Sequence, residues 1–374
     1  MTHDTRPPGA DTVFDDPGDS LVPERRKLVA ALVAIVLAVV AIYVLFPKIV
    51  GLDDVLERLA DARPAWLAAA VGFNVLAFAA YVALFRGVLG GQEAGRVRAR
   101  LDARASYEIT MAGLAATRIF SAAGAGGIVL TYWALRKAGM ERRMAAARMV
   151  AFLALLYAIY LLGLIVFGVL LRTGVLRGDD PLGGTVVPAA IAGVTLLVLG
   201  LVAFIPGDVE RRLAGLGLGG RLARWASKLA RFPATLATGV RTALAFARHP
   251  RRGSLAVAGA AGFWAANIAI LWASFAAFGQ HVPVGVLVQG FFVGMTANLI
   301  PSPAGGVGSV DAGMIGAFVL FGLPAETVFA GVLAYRVIAF WLPIPPGLVA
   351  YFQLRRTVAG WEREDGRAML QKVK

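Results

Sequence analysis

Long apolar runs, separated by short charged segments, follow one another along most of the chain. An α-helix needs ~20 consecutive apolar residues to cross the hydrocarbon core of a bilayer. Runs of roughly that length occupy residues 28–46, 65–85, 149–171, 186–205, 255–278 and 328–352. The pattern therefore predicts an all-α polytopic membrane protein with about six spanning helices.

Two further apolar stretches are interrupted by residues that break helices. Residues 107–135 contain the run SAAGAGG at positions 121–127, and residues 284–321 contain two prolines and three glycines within positions 301–308. Proline lacks the donor N–H and glycine favours an unwound chain, so neither stretch can continue as one helix. Unwound backbone at membrane depth must be buried in protein or line a wet cavity. We therefore predict two broken, re-entrant helical hairpins.

The basic residues indicate the topology of the chain. With these spans and hairpins, 30 of the 37 Lys and Arg residues fall on one side of the membrane, 5 on the other and 2 within membrane segments. Lys and Arg concentrate on the cytoplasmic side of membrane proteins. We therefore predict a multi-pass protein of the cell (cytoplasmic) membrane with both termini in the cytoplasm. The first hairpin then enters from the inside and the second from the outside.

The order span, hairpin, span occurs twice, in residues 65–171 and again in residues 255–352. Because the two hairpins enter from opposite sides, this order predicts an inverted repeat. Paired broken helices in opposed halves are typical of transporters whose binding site lies at the midplane of the membrane. An alternative is that the breaks only let helices pack closely through small residues.

Composition and motifs narrow the classes of function. The chain is 58% hydrophobic and contains no cysteine, which excludes disulfides and thiolate metal sites. The net charge of +14 is explained by the topology, so it does not indicate a nucleic-acid partner. No HExxH, GxSxG or phosphate-loop pattern occurs, and the three histidines do not form a metal-binding cluster. We therefore predict no enzyme, no cofactor and no metal.

The chain divides into one membrane domain and two tails. Residues 1–24 are rich in Asp, Pro, Gly and Thr and predict a disordered cytoplasmic tail, while residues 357–374 form a second cytoplasmic tail after the membrane domain at 25–356. The basic loop at 207–252 has apolar residues at helical spacing between positions 222 and 232. This spacing indicates an interfacial amphipathic helix suited to anionic headgroups. A solvated loop that only fixes topology is the alternative.

Three motifs in the second half carry a resemblance to a known family. They are PSPAGGVGSVD at 301–311, LAYRV at 333–337 and WLP at 341–343. This series resembles the signature of the lysylphosphatidylglycerol synthetase membrane-region family, the flippase-like domain, and the resemblance covers roughly residues 25–356. Two departures stand out. Asp311 occupies a position where the family usually has Glu, and the first break lacks the Asn, Pro and Glu often found there.

The resemblance implies a protein that moves lipids, or serves lipid-linked glycan assembly, in a cytoplasmic membrane. Bifunctional relatives carry a soluble aminoacyl-transferase domain after the membrane region, and we expect that domain to be missing here. We predict a lipid translocase for an anionic phospholipid or a lipid-linked substrate. The alternative is a non-transporting membrane subunit that supports a lipid-linked glycan enzyme or a lipid-modifying enzyme. Membrane lipids are the expected partners, and the sequence leaves open a separate lipid-modifying enzyme and a homo-oligomer.

Three charged residues, Arg118, Asp311 and Arg336, fall near the predicted midplane. A lone charge there costs about 2.5–3.5 kcal/mol, so such residues find partners. We predict that Asp311 pairs with Arg336, which leaves Arg118 for a headgroup phosphate. Alternatively, Arg336 only forms a structural ion pair, and Asp311 only complements a half-helix that starts near Ser309, a plausible N-cap. The predicted substrate-binding residues are Arg118, Asn298, Pro301, Ser302, Pro303, Gly305, Gly306, Gly308, Ser309, Asp311, Tyr335 and Arg336.

Overall fold

A computed structural model describes residues 62–90, 95–119, 125–204, 220–299, 306 and 308–373 of the chain. Every regular element in these ranges is helical. The α-helices are α1 Pro64–Phe85, α2 Gly95–Arg100, α3 Ala103–Ile119, α4 Ala125–Lys137, α5 Arg142–Arg172, α6 Val186–Val202, α7 Gly220–Arg248, α8 Pro250–Ala277, α9 Val284–Met295, α10 Ser309–Leu320, α11 Ala325–Arg336 and α12 Ile344–Val373. A 3₁₀ turn follows α9 at Thr296–Leu299, and π-helical turns lie at Arg86–Gly90 and Val337–Trp341.

Four helical stretches are long and apolar enough to cross a membrane, at Pro64–Leu89, Arg142–Arg172, Gly253–Ala277 and Ala325–Gln371. They confirm an all-helical membrane protein, and they coincide with four of the predicted spans. The predicted tail 1–24 and the predicted span 28–46 lie outside the described residues. Helix α6 has 17 residues, which is shorter than the ~20 that a full crossing needs. The count of six spans therefore stays a prediction.

Both predicted hairpins consist of two helices that pack on each other, α3 with α4 and α9 with α10. Glycine permits the close approach in each. A Cβ on Gly127 would lie 2.5 Å from the carbonyl oxygen of Gly113, and a Cβ on Gly294 would lie 2.6 Å from Cα of Met314. These glycines in the arms of the hairpins therefore let the helices pack closely through small residues. Such packing was the alternative explanation of the sequence pattern.

Each hairpin also packs on the last span of the other repeat: the first hairpin contacts α12, and the second contacts α5. In the first hairpin, Glu108 accepts a hydrogen bond from Thr357 of α12, and a Cβ on Gly347 of α12 would overlap Ala115. The second hairpin packs on α5, where a Cβ on Gly163 would overlap the ring of Phe292. Each hairpin therefore contacts a span from the other half of the chain.

Helices α1 and α8 pack closely on each other. They run antiparallel, because Trp66 stacks edge-on against Trp272 with ring centroids 5.0 Å apart, whereas Gly259 lies beside Leu84. A Cβ on Gly259 would be 2.4 Å from the Leu84 nitrogen. The two helices therefore stay in contact from the Trp66 end of α1 to its Leu84 end.

The last span is one helical rod with a break. Helix α11 ends at Arg336, the π-helical turn follows, and α12 continues to Val373, well beyond the predicted end of the span at residue 352. The segment predicted as a cytoplasmic tail is therefore helical up to Val373. The break has a cause in the sequence, because Pro343 and Pro345 supply no N–H to the carbonyls four or five residues before them.

Candidate functional site

Three consecutive carbonyls at the break of the last span are bound by side chains from the first half of the chain. Asn74 of α1 donates to Ile338 O at 2.9 Å. Arg118, at the tip of the first hairpin, donates through Nη2 to Ala339 O at 2.9 Å and through Nη1 to Phe340 O at 2.7 Å. Buried carbonyls need such partners, so these contacts stabilise the break. The predicted role of Arg118 in binding a headgroup phosphate stays a prediction, and the structure adds these two backbone contacts to it.

Asp311 and Arg336 form the predicted ion pair. Arg336 Nε lies 2.5 Å from Asp311 Oδ1, and the two side chains are 6% and 14% exposed. These two atoms are close but not aligned as a hydrogen bond. Arg336 also donates through Nη2 to Gly306 O at 3.3 Å, which links the last span to the unwound part of the second hairpin.

Asp311 has a second role at the start of α10. Its Oδ2 accepts a hydrogen bond of 2.9 Å from the backbone N–H of Gly308, the N-cap residue. A carboxylate is favourable at the N-terminus of a helix, where backbone N–H groups have no intrahelical partners. Ser309 is the first helical residue rather than the predicted N-cap. Asp311 thus stabilises the half-helix and pairs with Arg336 at once.

Gly306 and Gly308 give the second hairpin its turn. Their φ angles are +91° and +85°, a region that residues with a Cβ rarely adopt. A Cβ on Gly306 would also lie 3.1 Å from Oδ1 of Asn298, whereas a Cβ on Gly308 would meet nothing within 4 Å. Backbone conformation alone therefore requires glycine at position 308.

Arg118 of the first hairpin and Arg336 of the last span both lie against the ring of Phe340. The Cζ atom of Arg118 lies 5.0 Å from the ring centroid and that of Arg336 lies 4.4 Å from it, distances typical of cation–π contacts. Since Arg336 contacts Asp311, the three predicted charged residues converge at the break of the last span. These three side chains carry two positive charges and one negative charge.

Tyr335 is buried beside this cluster and faces α8 and α9. Its hydroxyl donates to Asn267 Oδ1 at 3.3 Å, and its ring packs edge-on against Phe291. Of the other predicted substrate-binding residues, Pro301, Ser302, Pro303 and Gly305 lie outside the described residues. Within the described ranges, no three His, Cys, Asp or Glu side chains come together to hold a metal.

Sequence reasoning missed an aromatic cluster that fixes the second hairpin. Tyr160 of α5 donates its hydroxyl proton to Phe292 O at 2.8 Å, and Trp264 of α8 donates to Leu156 O at 2.8 Å. The rings of Tyr160 and Trp264 lie 5.3 Å apart. Sequence reasoning also missed the hydrogen bond of Asn74 with the last span. An Asn inside an apolar span is itself a signal of an interhelical hydrogen bond.

The chain is similar to a known family of membrane proteins. The family model described as the lysylphosphatidylglycerol synthase TM region matches residues 31–347, a stretch that contains both hairpins and the break of the last span. The chain belongs to this family. A UPF0104 membrane protein of Methanothermobacter thermautotrophicus is 28% identical over 86 residues, which cover 23% of this chain and 26% of that protein. The chain thus matches about a quarter of the length of that relative.

Proposed function

We propose that this protein is a lipid translocase that acts on an anionic phospholipid or a lipid-linked substrate. The observation that carries the proposal is the convergence of three charged residues at the break of the last span: Arg118 and Arg336 lie against Phe340, and Arg336 pairs with Asp311 of the second hairpin. Broken helices that meet inside a membrane protein are characteristic of transporter binding sites.

Charge and unwound backbone both support a site for an anion at this place. Unwound backbone inside a membrane is tolerated only where protein buries it or a cavity wets it. Two arginines against one carboxylate leave an excess of positive charge, and intramembrane charges of this kind mark substrate and ion pathways. In the proposed mechanism the hairpins enter from opposite sides as an inverted repeat, so that the headgroup can reach the site from either leaflet.

Lipid movement by the purified protein tests the proposal. Liposomes containing the protein and a lipid with a fluorophore on its acyl chain are treated with dithionite, which quenches only the outer leaflet. We expect wild-type protein to raise the quenched fraction above the half that is accessible in protein-free vesicles. Arg118→Gln should slow this movement with little change in folded yield, whereas Arg172→Gln, in an exposed ion pair with Asp180, should not slow it.

The opposite result would favour the alternative function. If folded wild-type protein leaves the inner leaflet protected for every lipid tried, it does not translocate lipids. A membrane subunit that supports a lipid-modifying or lipid-linked glycan enzyme would then be the better description.

A further inference from the structure

Helix α3 of the first hairpin and the last span lie side by side. At the tip of the hairpin, Arg118 donates to the carbonyls of Ala339 and Phe340. Toward the base, a Cβ on Gly347 would lie 2.7 Å from Cβ of Ala115. Small side chains of this kind let helices approach closely, but they form shallow ridges that resist sliding only weakly. The position of α3 along α12 therefore depends on directional contacts.

Arg100 makes a bidentate contact with α12 at the base of the first hairpin. Its Nη2 and Nη1 donate to Asp365 Oδ1 at 2.8 Å and to Asp365 Oδ2 at 3.1 Å, and Nη2 also donates to Trp361 O at 3.0 Å. The Arg100 side chain is 5% exposed. A bidentate contact between a guanidinium group and a carboxylate is strong and geometrically specific. It therefore fixes where along α12 the start of the hairpin lies.

The end of the first hairpin is attached to the same turn of α12. Lys137, the last residue of α4, places its Nζ 2.8 Å from Glu362 Oε1, and its carbonyl accepts a hydrogen bond of 3.5 Å from Arg100 Nη1. Arg96 adds a contact of 3.0 Å with Asp365. We call the contacts of Arg96, Arg100 and Lys137 with Glu362 and Asp365 the base clamp. Both ends of the hairpin are thus held by one turn of the last helix.

Helix α3 connects the base clamp to the tip of the hairpin. Arg118 lies ~22 Å along α3 from its first residue, Ala103. A continuous helix is rigid over such a length, so an axial displacement at the base reaches the tip. The hydrogen bonds of Arg118 are 2.7 and 2.9 Å long, whereas a slide by one helical turn is ~5.4 Å. The contact of Arg118 with the break of the last span thus requires the register that the base sets.

We infer that the base clamp sets the position of the first hairpin along the last span, and that Arg100 and Asp365 are positioning residues for Arg118. The inference goes beyond the proposed function, because it concerns the conformation of the chain and requires no lipid or other ligand. Opening of the clamp lets the hairpin slide, which changes the partners of the carbonyls at the break. The part of α12 that follows the predicted end of the span at residue 352 is then a conformational device.

Distances between spin labels test the inference, because the chain has no cysteine of its own. One label pair, Val129→Cys with Val349→Cys, measures the position of the hairpin along α12, and these two side chains are 44% and 56% exposed. A second pair, Val75→Cys with Val319→Cys, reports on α1 and the second hairpin. Without further substitutions, we expect one narrow distance distribution for each pair.

Removal of both carboxylates of the clamp should move the first hairpin. Glu362→Ala with Asp365→Ala should add to the first pair a population displaced by up to one helical turn, ~5.4 Å, and should leave the second pair unchanged. The conservative exchange Glu362→Asp with Asp365→Glu keeps both carboxylates and should keep the original distribution. Asp180→Ala removes the carboxylate of an exposed ion pair elsewhere and serves as the matched control.

Two results would overturn the inference. An unchanged first pair in the double alanine variant would mean that the clamp does not position the hairpin, and broadening of both pairs would mean that it stabilises the fold as a whole. If that variant does not fold, Arg100→Gln replaces it, because this change removes the bidentate contact and leaves Asp365 paired with Arg96. None of these distances depends on lipid transport, so the liposome assay tests the proposed function separately.

Discussion

The two hairpins have the same architecture but use charge differently at their tips. Arg118 in the first hairpin directs its guanidinium at backbone carbonyls, which are neutral dipoles. Asp311 in the second hairpin faces the opposite charge of Arg336. A hydrogen bond from a cation to a carbonyl leaves the cation uncompensated, whereas a buried ion pair leaves a stranded charge when either partner is removed. The second tip should therefore be much more sensitive to neutralisation than the first.

The largest expected effect is the loss of one partner of the buried pair. Asp311→Asn or Arg336→Gln alone should destabilise the protein by about 3–5 kcal/mol, because the remaining charge is buried without its counter-charge. The double variant should recover part of that loss. Arg118→Gln should cost less than either single change, since Gln can still donate to a carbonyl. Unfolding in detergent and lipid transport measure the two consequences.

An exposed ion pair provides the matched control. Arg172 and Asp180 approach to 2.8 Å, but their side chains are 50% and 42% exposed. Neutralising either should change stability by only about 0–1 kcal/mol. If Asp311→Asn and Arg336→Gln are as mild as these surface changes, and the double variant is no different, the buried pair does not hold the second tip in place.

The sequence predicted the features that depend on local chemistry. Proline and glycine reveal where helices break, and depth along apolar runs brought Asp311 and Arg336 to one level before any contact was known. The first residue of α10 was mistaken for its cap because Ser is a common N-cap, whereas a positive φ at this site requires Gly308. Local patterns therefore identified the elements of the site more reliably than its exact hydrogen bonds.

The contacts between distant segments were not predictable from the pattern. Asn74 and Ile338 are 264 residues apart in sequence, and nothing local indicates that they meet. The sequence assigned Arg118 to a headgroup phosphate because Asp311 was already paired with Arg336, and it gave no sign of the contacts with Ala339 O and Phe340 O. Backbone carbonyls released by Pro343 and Pro345 are equally good acceptors, but which side chain reaches them depends on tertiary packing.

The glycines of the two hairpins should respond differently to a methyl group. A Cβ on Gly127 would lie 2.2 Å from Thr117 Oγ1, so Gly127→Ala must push the arms of the first hairpin apart and should cost about 1–3 kcal/mol. Gly308→Ala finds open space but is held at φ +85°, a strain of about 1–3 kcal/mol at the tip. The two losses of stability are similar in size, but their consequences for transport should differ.

Transport per folded molecule separates these two roles. Gly127→Ala should lower folded yield while each folded molecule transports normally, because the added methyl group meets Thr117 and Gly113 rather than Arg118, Asp311 or Arg336. Gly308→Ala should reduce transport per folded molecule, because it disturbs the turn that positions Asp311. Normal transport by Gly308→Ala would mean that the break serves packing alone, the simpler explanation of the sequence pattern.

The bases of the two hairpins, at the ends away from the tips, are held by different kinds of contact. At the base of the first hairpin, ion pairs connect the chain to the end of α12: Arg100 contacts Asp365 at 2.8 Å, and Lys137 contacts Glu362 at 2.8 Å. Apolar contacts form the base of the second hairpin, where a Cβ on Gly285 would overlap Leu171 and Leu176. Salt screens exposed charges but not apolar contacts, so only the first base should respond to ionic strength.

The smallest expected effect is the loss of the pair between Lys137 and Glu362, whose side chains are 27% and 54% exposed. Lys137→Gln should lower stability by about 0.2–1 kcal/mol in 0.05 M salt, because exposed pairs are weak. At 1 M salt the screening length falls to about 3 Å, so the difference from wild type should nearly vanish. The charge reversal Lys137→Glu with Glu362→Lys should restore stability at low salt. A deficit of Lys137→Gln that persists at 1 M salt would show that the lysine acts through packing, and that the base of the first hairpin is not held by charge.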